Sequence, residues 1–240
     1  MRFVILVIIS YIVLGALGMY FGNRKVSADV ARQRWLKYVA YLLITTFVVV
    51  SIWFHFFFLT ALLIVLAGCY EIIKTIYKER GLRIALLVYS IIAAGFIFFA
   101  FTFRREFQFF IYFQILAFDA FSQVVGQLIG RTIIAPKISP AKTAEGFMGG
   151  MFFCVLSAML TSQWLGISLL ASVLYGLLTA LTGFAGDLLA SFYKRIAGIK
   201  DYSNLLPGQG GCLDRFDSFM MTAFCYSIIS LITSKTYFAF

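Results

Sequence analysis

The chain has 240 residues, of which 62% are hydrophobic and only 12% are charged. Soluble domains are about half apolar and roughly one quarter charged, so this composition excludes a soluble globular protein and a disordered one. The apolar runs are continuous, whereas barrel strands alternate, so the sequence predicts an all-α, polytopic membrane bundle. The formal charge of +10 is typical of basic cytoplasmic loops and suits anionic partners such as lipid headgroups or nucleotides.

The gaps between charged residues predict eight membrane spans, because about 20 helical residues cross a hydrocarbon core of roughly 30 Å. The first span covers residues 3–23 and shows no cleavage site, which predicts an uncleaved helix. The uncharged run 38–70 fits two helices with a turn near His55, and the run 146–186 fits two with a turn near 163–166. Single spans are predicted over 84–103, 107–130 and 218–234.

Four polar loops fall on one side of the membrane in this arrangement, opposite both termini. They hold 16 of the 20 basic residues, so the positive-inside rule makes that side cytoplasmic. We divide the chain into N-terminal helices, residues 1–106, and a C-terminal catalytic region, residues 107–240. The four loops cover residues 24–37, 74–83, 131–145 and 187–217.

Cysteine and histidine offer little chemistry in this chain. The four cysteines show no CxxC spacing, which argues against a zinc site or a disulfide framework. The single histidine, His55, lies in an aromatic stretch and is expected to pack there, so histidine-based catalysis is not expected.

Intramembrane carboxylates are costly and therefore mark candidate functional positions. Asp119 lies about halfway along the 107–130 span, and Asp187 ends an apolar run. A helix is predicted from Asp187 onward, on which Asp187, Ser191 and Lys194 share one face. For this segment alone we favour a helix that leaves the membrane with a snorkelling lysine, and a functional face is the alternative.

A turn-rich loop over residues 200–211 follows, with three glycines around Gln209 that let the backbone approach a phosphate. Asp214 and Asp217 share a helical face at the start of the last span. They would act either as caps of the helix N-terminus or, with Asp187, as ligands of a divalent metal. The cations that alternate with these acids, as polyphosphate binding requires, are Lys194, Arg195, Lys200 and Arg215.

The loop over residues 131–145 offers a second candidate for phosphate binding. It carries two lysines and two hydroxyl side chains on a segment braced by Pro136 and Pro140. The glycines of a Walker A sequence are absent, so an ordinary basic loop remains an equal interpretation. The four side chains are Lys137, Ser139, Lys142 and Thr143.

The run from Ser191 to Asp217, SFYKRIAGIKDYSNLLPGQGGCLDRFD, resembles the signature of phosphatidate cytidylyltransferases, also called CDP-diacylglycerol synthases. The resemblance extends upstream to the APKISPAKTAEG segment over residues 135–146, which matches a conserved loop of that family. Shorter matches are Gly186-Asp187, Asp119 with Gly126, and Tyr70-Glu71.

The resemblance implies a polytopic enzyme that converts CTP and phosphatidate into CDP-diacylglycerol and pyrophosphate with Mg²⁺, and it leaves open a second, monovalent metal ion. Asp187 and Asp214 would bind the metal. Catalytic roles fall to Lys194, Lys200, Asp201, Arg215 and Asp217. Substrate binding falls to Asp119, Lys137, Ser139, Lys142, Thr143, Ser191, Arg195, Gln209, Gly210 and Gly211.

The expected partners are CTP, phosphatidate or a related lipid phosphate, and membrane lipids. No nucleic acid is expected, and a homodimer is left open. The expected location is a bacterial inner membrane, crossed several times, with the catalytic loops in the cytoplasm.

Three residues depart from the family pattern. Gln209 stands where the family has a histidine, Ala190 where it has an acid, and Ala144 where it has an aromatic residue. Glutamine cannot serve as a general acid or base. A CTP-dependent polyprenol or phytol kinase, a cytidylyltransferase for another lipid phosphate, and a catalytically impaired paralogue that only binds therefore remain alternatives.

Overall fold

A computed structural model describes residues 27–76, 82–203, 205–206 and 210–233, together with Ala16, Tyr20 and Arg24. Within these residues, seven helices are long and apolar enough to cross a membrane. The only sheet among them is a two-stranded antiparallel hairpin. The chain is therefore an integral membrane protein built as a helical bundle, as predicted; the predicted first span over residues 3–23 lies almost entirely outside the described residues.

The elements follow the predicted order. The helices are α1 (Ala28–Trp53), α2 (Phe57–Ile76), α3 (Leu82–Thr102), α4 (Arg105–Ile129), α5 (Ala144–Leu165), α6 (Leu169–Ile196) and α7 (Leu213–Thr233). Between α4 and α5 lie the strands β1 (Ile133–Ala135) and β2 (Ser139–Thr143). Both predicted turns are confirmed: His55 has φ +62° between α1 and α2, and Gly166 has φ +63° between α5 and α6.

The helices extend further into the polar segments than the charge gaps predict. Helix α1 begins at Ala28, so much of the predicted loop 24–37 is helical. The reason is that a charge gap marks the apolar middle of a span, while long basic side chains on its last turns reach the interface. In the first two predicted loops, the basic residues that lie on helices are Arg32, Arg34, Lys37, Lys74 and Arg83.

The predicted loop 131–145 is also more regular than expected. Strands β1 and β2 pair through Ile133 with Thr143 and through Ala135 with Ser139, with an irregularity between these pairs. The hairpin was not predicted because strands of three and five residues, one containing Pro140, carry no clear alternation of polar and apolar residues.

Small residues bring α4 and α5 into close contact beside this hairpin. A Cβ atom added at Gly146 would lie 2.7 Å from the carbonyl oxygen of Ser122, and one added at Gly150 would lie 2.7 Å from the Ser122 Cβ. Such contacts between small residues are typical of helix pairs in membranes. They hold the start of α5, and with it the hairpin, against the end of α4.

Helix α7 lies near the centre of the bundle, where it packs against α3 and α6. Its Phe219 ring lies 5.4 Å from Phe96 and 5.9 Å from Phe57, measured between ring centroids. Buried aromatic contacts of this kind stabilise packing beyond the area they cover. They fix the position of the first two turns of α7, which carry Asp214 and Asp217.

The hairpin segment 129–144 and the segment 196–213 lie at the same end of the bundle, which we call the polar end. Two hydrogen bonds establish this arrangement: Arg195 Nε donates to the Ile138 carbonyl at 3.0 Å, and Thr75 Oγ1 donates to the Tyr202 carbonyl at 3.1 Å. The two loops that resemble the family signature therefore meet in space.

Candidate active site

Asp214 joins three segments at the polar end through both of its carboxylate oxygens. Its Oδ1 accepts a 2.7 Å hydrogen bond from Lys194 Nζ on α6. Its Oδ2 accepts backbone N–H groups of Tyr202 at 3.0 Å and Gly211 at 2.8 Å. The Asp214 side chain is only 2% exposed, and a buried charge is tolerated when it is paired and hydrogen-bonded in this way. Asp214 thus fixes the loop to α6 and α7.

Glu71 on α2 is a second anchor of the same loop, and its side chain is fully buried. Its Oε1 accepts the Ser203 hydroxyl at 2.6 Å and the Cys212 N–H at 2.8 Å, while Oε2 accepts the Leu213 N–H at 2.8 Å. The free N–H groups and the dipole at a helix start favour a negative charge there. Glu71 therefore caps α7 from another helix. The sequence marked it only as part of an aromatic-Glu pair.

The two glycines predicted to bind substrate have a packing role in this loop. A Cβ atom added at Gly211 would lie 2.7 Å from one Glu71 carboxylate oxygen and 2.8 Å from the other, so no larger residue fits. Gly210 has φ +83°, in the left-handed region that glycine adopts without strain. The Leu206 N–H donates to the Gly210 carbonyl at 3.0 Å. Gln209 lies outside the described residues.

We define the anchored cluster as Glu71, Asp214, Lys194 and the backbone N–H groups that the two acids bind. These N–H groups belong to Tyr202, Gly211, Cys212 and Leu213. Lys194, predicted to be catalytic, takes part in this cluster: its side chain is 12% exposed, and its ammonium lies 5.6 Å from the centroid of the Tyr202 ring.

Asp187 is arranged differently. Its Oδ2 forms an ion pair of 2.5 Å with Lys142 Nζ from β2, and Ser191 Oγ approaches Oδ1 at 3.4 Å. The Asp187 side chain is 37% exposed, whereas that of Lys142 is 17% exposed and its ammonium lies 5.2 Å from the Phe184 ring centroid. The predicted shared face of Asp187 and Ser191 is confirmed, and the hairpin lysine completes the contact between the two loops.

Asp119 on α4 is exposed at the site. Asp119 interacts electrostatically with three charged residues from other elements, which places it in the same group as the hairpin and α6. These residues are Asp187, Lys142 and Arg215.

Asp217 on α7 is half-buried, and its Oδ1 accepts the Ser218 N–H at 2.7 Å. It interacts electrostatically with Asp187, Lys194 and Asp119. The close approach at Gly186 explains this position, since a Cβ added there would lie 2.7 Å from the Asp217 carbonyl oxygen. We call Asp119, Asp187, Asp217 and Lys142 the open cluster, because none of its three acids is fully buried.

Hydrogen bonds hold the hairpin against this cluster. Thr143 Oγ1 accepts the Gly146 N–H at 3.2 Å, so the side chain predicted to bind phosphate caps α5. Glu145 accepts the Arg131 N–H at 3.0 Å and the Thr132 hydroxyl at 2.9 Å. Arg195 donates to the Ile138 carbonyl and, at 3.1 Å, to the Ile199 carbonyl. The sequence did not predict these positioning roles.

The remaining predicted residues surround the two clusters. Ser139 is half-buried on β2. Four charged side chains at the polar end are exposed. Within the part of the chain that the structure describes, none of them forms an ion pair, so their charges are available to a ligand. These exposed residues are Lys137, Lys200, Asp201 and Arg215.

Two titratable side chains between α6 and α7 remain protonated at neutral pH. Burial, followed by the charges of Asp217 and Asp214, raises the pKa of Tyr202, whose hydroxyl donates to the Ala190 carbonyl at 3.2 Å. Burial, together with the charge of Glu71, raises the pKa of the Cys212 thiol to about 12. A protonated, buried thiol is a poor nucleophile, so covalent catalysis by Cys212 is not supported.

The donor set suits a Mg²⁺ ion only when substrate completes the coordination. Among the described residues, no three His, Cys, Asp or Glu side chains are close enough to hold a metal by themselves. Mg²⁺ usually binds one or two carboxylates together with phosphate oxygens and water. Asp187, which is 37% exposed, and the half-buried Asp217 are more accessible for such a role than Asp214, whose oxygens are both engaged by Lys194 and two backbone amides.

Comparison with known proteins agrees with this architecture. A phosphatidate cytidylyltransferase of Aquifex aeolicus is 42% identical over 111 residues, which cover 46% of this chain and 42% of that protein. One of Staphylococcus aureus is 33% identical over 151 residues, covering 61% and 58%. An uncharacterized Escherichia coli protein, YnbB, is 43% identical over 99 residues, covering 41% and 33%.

The chain thus spans between about a third and three fifths of the length of these curated relatives. The sequence pattern of the cytidylyltransferase family matches much more of the chain, from residue 1 to residue 233. That match includes both signature loops and all the helices that position them. The chain belongs to the cytidylyltransferase family.

Proposed function

We propose that this protein transfers the cytidylyl group of CTP to the phosphate of a membrane lipid, phosphatidate in the first instance, and releases pyrophosphate. The observation that carries the proposal is the contact between the two signature loops, in which Lys142 of the hairpin meets Asp187 of α6. Family membership and the names of the two relatives support the choice of CTP and phosphatidate.

In the proposed reaction, an oxygen of the lipid phosphate attacks the α-phosphorus of CTP, and a new P–O bond forms. The bond from the α-phosphorus to the oxygen that bridges it to the β-phosphorus breaks, and pyrophosphate leaves with the electron pair. Such a reaction needs positioning and charge stabilisation rather than covalent catalysis. Lys142 and the exposed Lys137, Lys200 and Arg215 supply positive charge at the polar end.

We propose that Asp187 and Asp217 hold Mg²⁺ together with phosphate oxygens of the nucleotide. When bound, the ion would neutralise charge on the phosphates and orient them. Asp214, the other predicted ligand, is then a positioning residue, because its oxygens hold Lys194 and the loop backbone. A second, monovalent ion and a homodimer remain predictions.

We further propose that the polar end faces the cytoplasm of a bacterial cell and that the protein resides in the inner membrane. The basic residues of the hairpin and of the segment 194–215 concentrate at this end, as the positive-inside rule requires. CTP is also available on that side.

The test is to incubate the purified protein in detergent with CTP, Mg²⁺ and a panel of lipids. The panel contains phosphatidate, a polyprenyl phosphate and a free polyprenol. We expect a cytidylyl lipid and pyrophosphate from phosphatidate. A phosphorylated polyprenol with release of CDP would instead identify a lipid kinase, and no lipid product alongside an active relative would contradict the proposal.

A further inference from the structure

An apolar groove lies beside the open cluster, between α3 and α6, with α7 as its floor. We call it the α3–α6 groove; its cavity measures about 50 Å³. Because one water needs roughly 10–15 Å³ by the same measure, the cavity has room for several methylene groups. Its lining includes Val88 and Ile92 from α3, Leu189 and Ala190 from α6, and Met220 and Met221 from α7.

The groove opens outward between the two helices that flank it. Its floor residue Met220 is 1% exposed, whereas Val88, Leu189 and Met221 along its sides are half-buried. Neighbouring side chains on α3 face away from the bundle, with Ile91 51% exposed and Leu87 62% exposed. In a membrane-spanning bundle, such a groove meets lipid chains and not water.

The groove reaches the site at Asp217, which lies partway along its floor. Asp217 is the only charged side chain that lines the groove among the described residues, and it interacts electrostatically with Asp187 and Lys194. The floor runs along α7 from Leu213 past Asp217 to Met221, away from the polar end. The part from Asp217 to Met221 covers about 6 Å, at 1.5 Å per residue. The groove therefore leads from the charged groups into the apolar part of the bundle.

Ala190 makes this groove apolar where the resemblance leads one to expect an acid. Its methyl group lines the groove, and its carbonyl accepts the Tyr202 hydroxyl at 3.2 Å. A carboxylate at this position would bring a charge into the space beside Leu189 and Met220. The substitution therefore turns this part of the wall into a surface that hydrocarbon can cover.

We propose that the α3–α6 groove holds one acyl chain of the lipid substrate, and that Ala190 and Ile92 set the chain that is accepted. The lipid phosphate then lies beside Asp217, and the chain extends along α7 toward Met221. This inference rests on the proposed function, because it takes the substrate to be a lipid phosphate. The chemistry favours hydrocarbon over a helix of a protein partner, since the groove is narrow and meets the charged site at Asp217.

The kinetic test blocks the deep end of the groove with Ile92→Trp and narrows its middle with Ala190→Leu. The matched controls are Ile91→Trp and Ala185→Leu, which place the same side chains on exposed positions of the same helices. Each variant is assayed with dihexanoyl and dipalmitoyl phosphatidate at equal mole fraction in detergent micelles. We expect the ratio of kcat/KM for the long lipid to that for the short lipid to fall about tenfold in the groove variants only.

A direct test uses phosphatidate with a photoactivatable group midway along one acyl chain. After irradiation, we expect labelling of groove residues such as Val88, Met220 or Met221. This measurement needs no turnover and does not depend on the folding of a variant.

The outcomes separate the two proposals. Groove labelling in a protein that forms no cytidylyl lipid would support the groove and contradict the proposed function. Cytidylyl transfer with the same chain selectivity in Ile92→Trp and Ile91→Trp, or with labels only outside the groove, would overturn the groove assignment and leave the proposed function intact.

Discussion

The anchored cluster and the open cluster use the same chemical groups for different purposes. In the anchored cluster, Glu71 and Asp214 are 0% and 2% exposed, and all their oxygens accept hydrogen bonds from within the protein. In the open cluster, Asp187 is 37% exposed and carries a single ion pair. A carboxylate whose oxygens are saturated can hold a loop, but it has little capacity left for a substrate or a metal ion.

This difference suggests a division of labour at the polar end. The anchored cluster determines where the described part of the segment 200–213 lies, and under the proposed function the open cluster, with Mg²⁺, would meet the nucleotide and the lipid phosphate. Substitutions in the two clusters should therefore affect stability and activity to different degrees, and that contrast can be measured.

Asp214→Ala should have the largest effect, because it removes the partner of Lys194 and of two backbone amides. Breaking a buried ion pair in this way costs about 3–5 kcal/mol. We expect a large loss of stability in detergent, measured by thermal unfolding, and no detectable cytidylyl transfer. Wild-type stability in this variant would contradict the anchoring role.

Asp187→Asn should have the next largest effect, and this effect should be confined to activity. Its ion pair with Lys142 is partly exposed, so its loss should change stability by only about 0–1 kcal/mol. If Asp187 holds Mg²⁺ as proposed, its loss removes the charge stabilisation that the ion supplies and should lower kcat by about 100- to 1000-fold. Asp29→Asn, at an exposed acid on α1, is the matched control and should behave as wild type. An unfolded Asp187→Asn protein would remove the distinction between the two clusters.

Glu71→Gln should have a moderate effect on stability. The amide keeps the shape of the side chain, but its NH₂ group cannot accept one of the N–H groups that now bind the carboxylate. An unsatisfied buried donor costs about 1–3 kcal/mol, so the unfolding temperature should fall while some activity remains. If the variant unfolds like wild type, Glu71 does not hold the start of α7.

The smallest expected effect is that of Cys212→Ala on stability at alkaline pH. The pKa of Cys212 is raised to about 12 in the folded protein, so the folded state holds the thiol proton more tightly than the unfolded chain does. This contribution is fully present below the unfolded pKa of about 8.5 and is lost as pH rises toward 12. Unfolding measured from pH 8 to pH 11 should therefore show a shallower decline for Cys212→Ala than for wild type. Equal slopes would contradict the assignment.

The sequence predicts the fold well wherever charge is absent. Continuous apolar runs predict the helices, and the turns at His55 and Gly166 follow from runs too long for one span. Helix ends are less predictable, because the charge gaps mark only the apolar middle of each helix. Arg32 and Lys74 lie outside these gaps, yet both are on helices.

The sequence predicts which residues form the site, but not which of them contact one another. The pairing of Asp187 with Lys142 needs the hairpin, whose short strands carry no sequence pattern of their own. The role of Glu71 depends on backbone N–H groups more than 130 positions away, and backbone groups leave no mark in a sequence. Spacing placed Lys194 beside Asp187, whereas the fold pairs it with Asp214.

The most direct test of cytidylyl transfer follows the α- and γ-phosphorus atoms of CTP separately. Wild-type protein and Asp187→Asn are incubated with phosphatidate, Mg²⁺ and CTP labelled at either the α- or the γ-phosphorus. Cytidylyl transfer at the open cluster predicts that the wild type places the α-label in lipid and the γ-label in pyrophosphate, and that Asp187→Asn does so at least about 100-fold more slowly. Lipid that carries the γ-label, or equal rates in the two proteins, would contradict it.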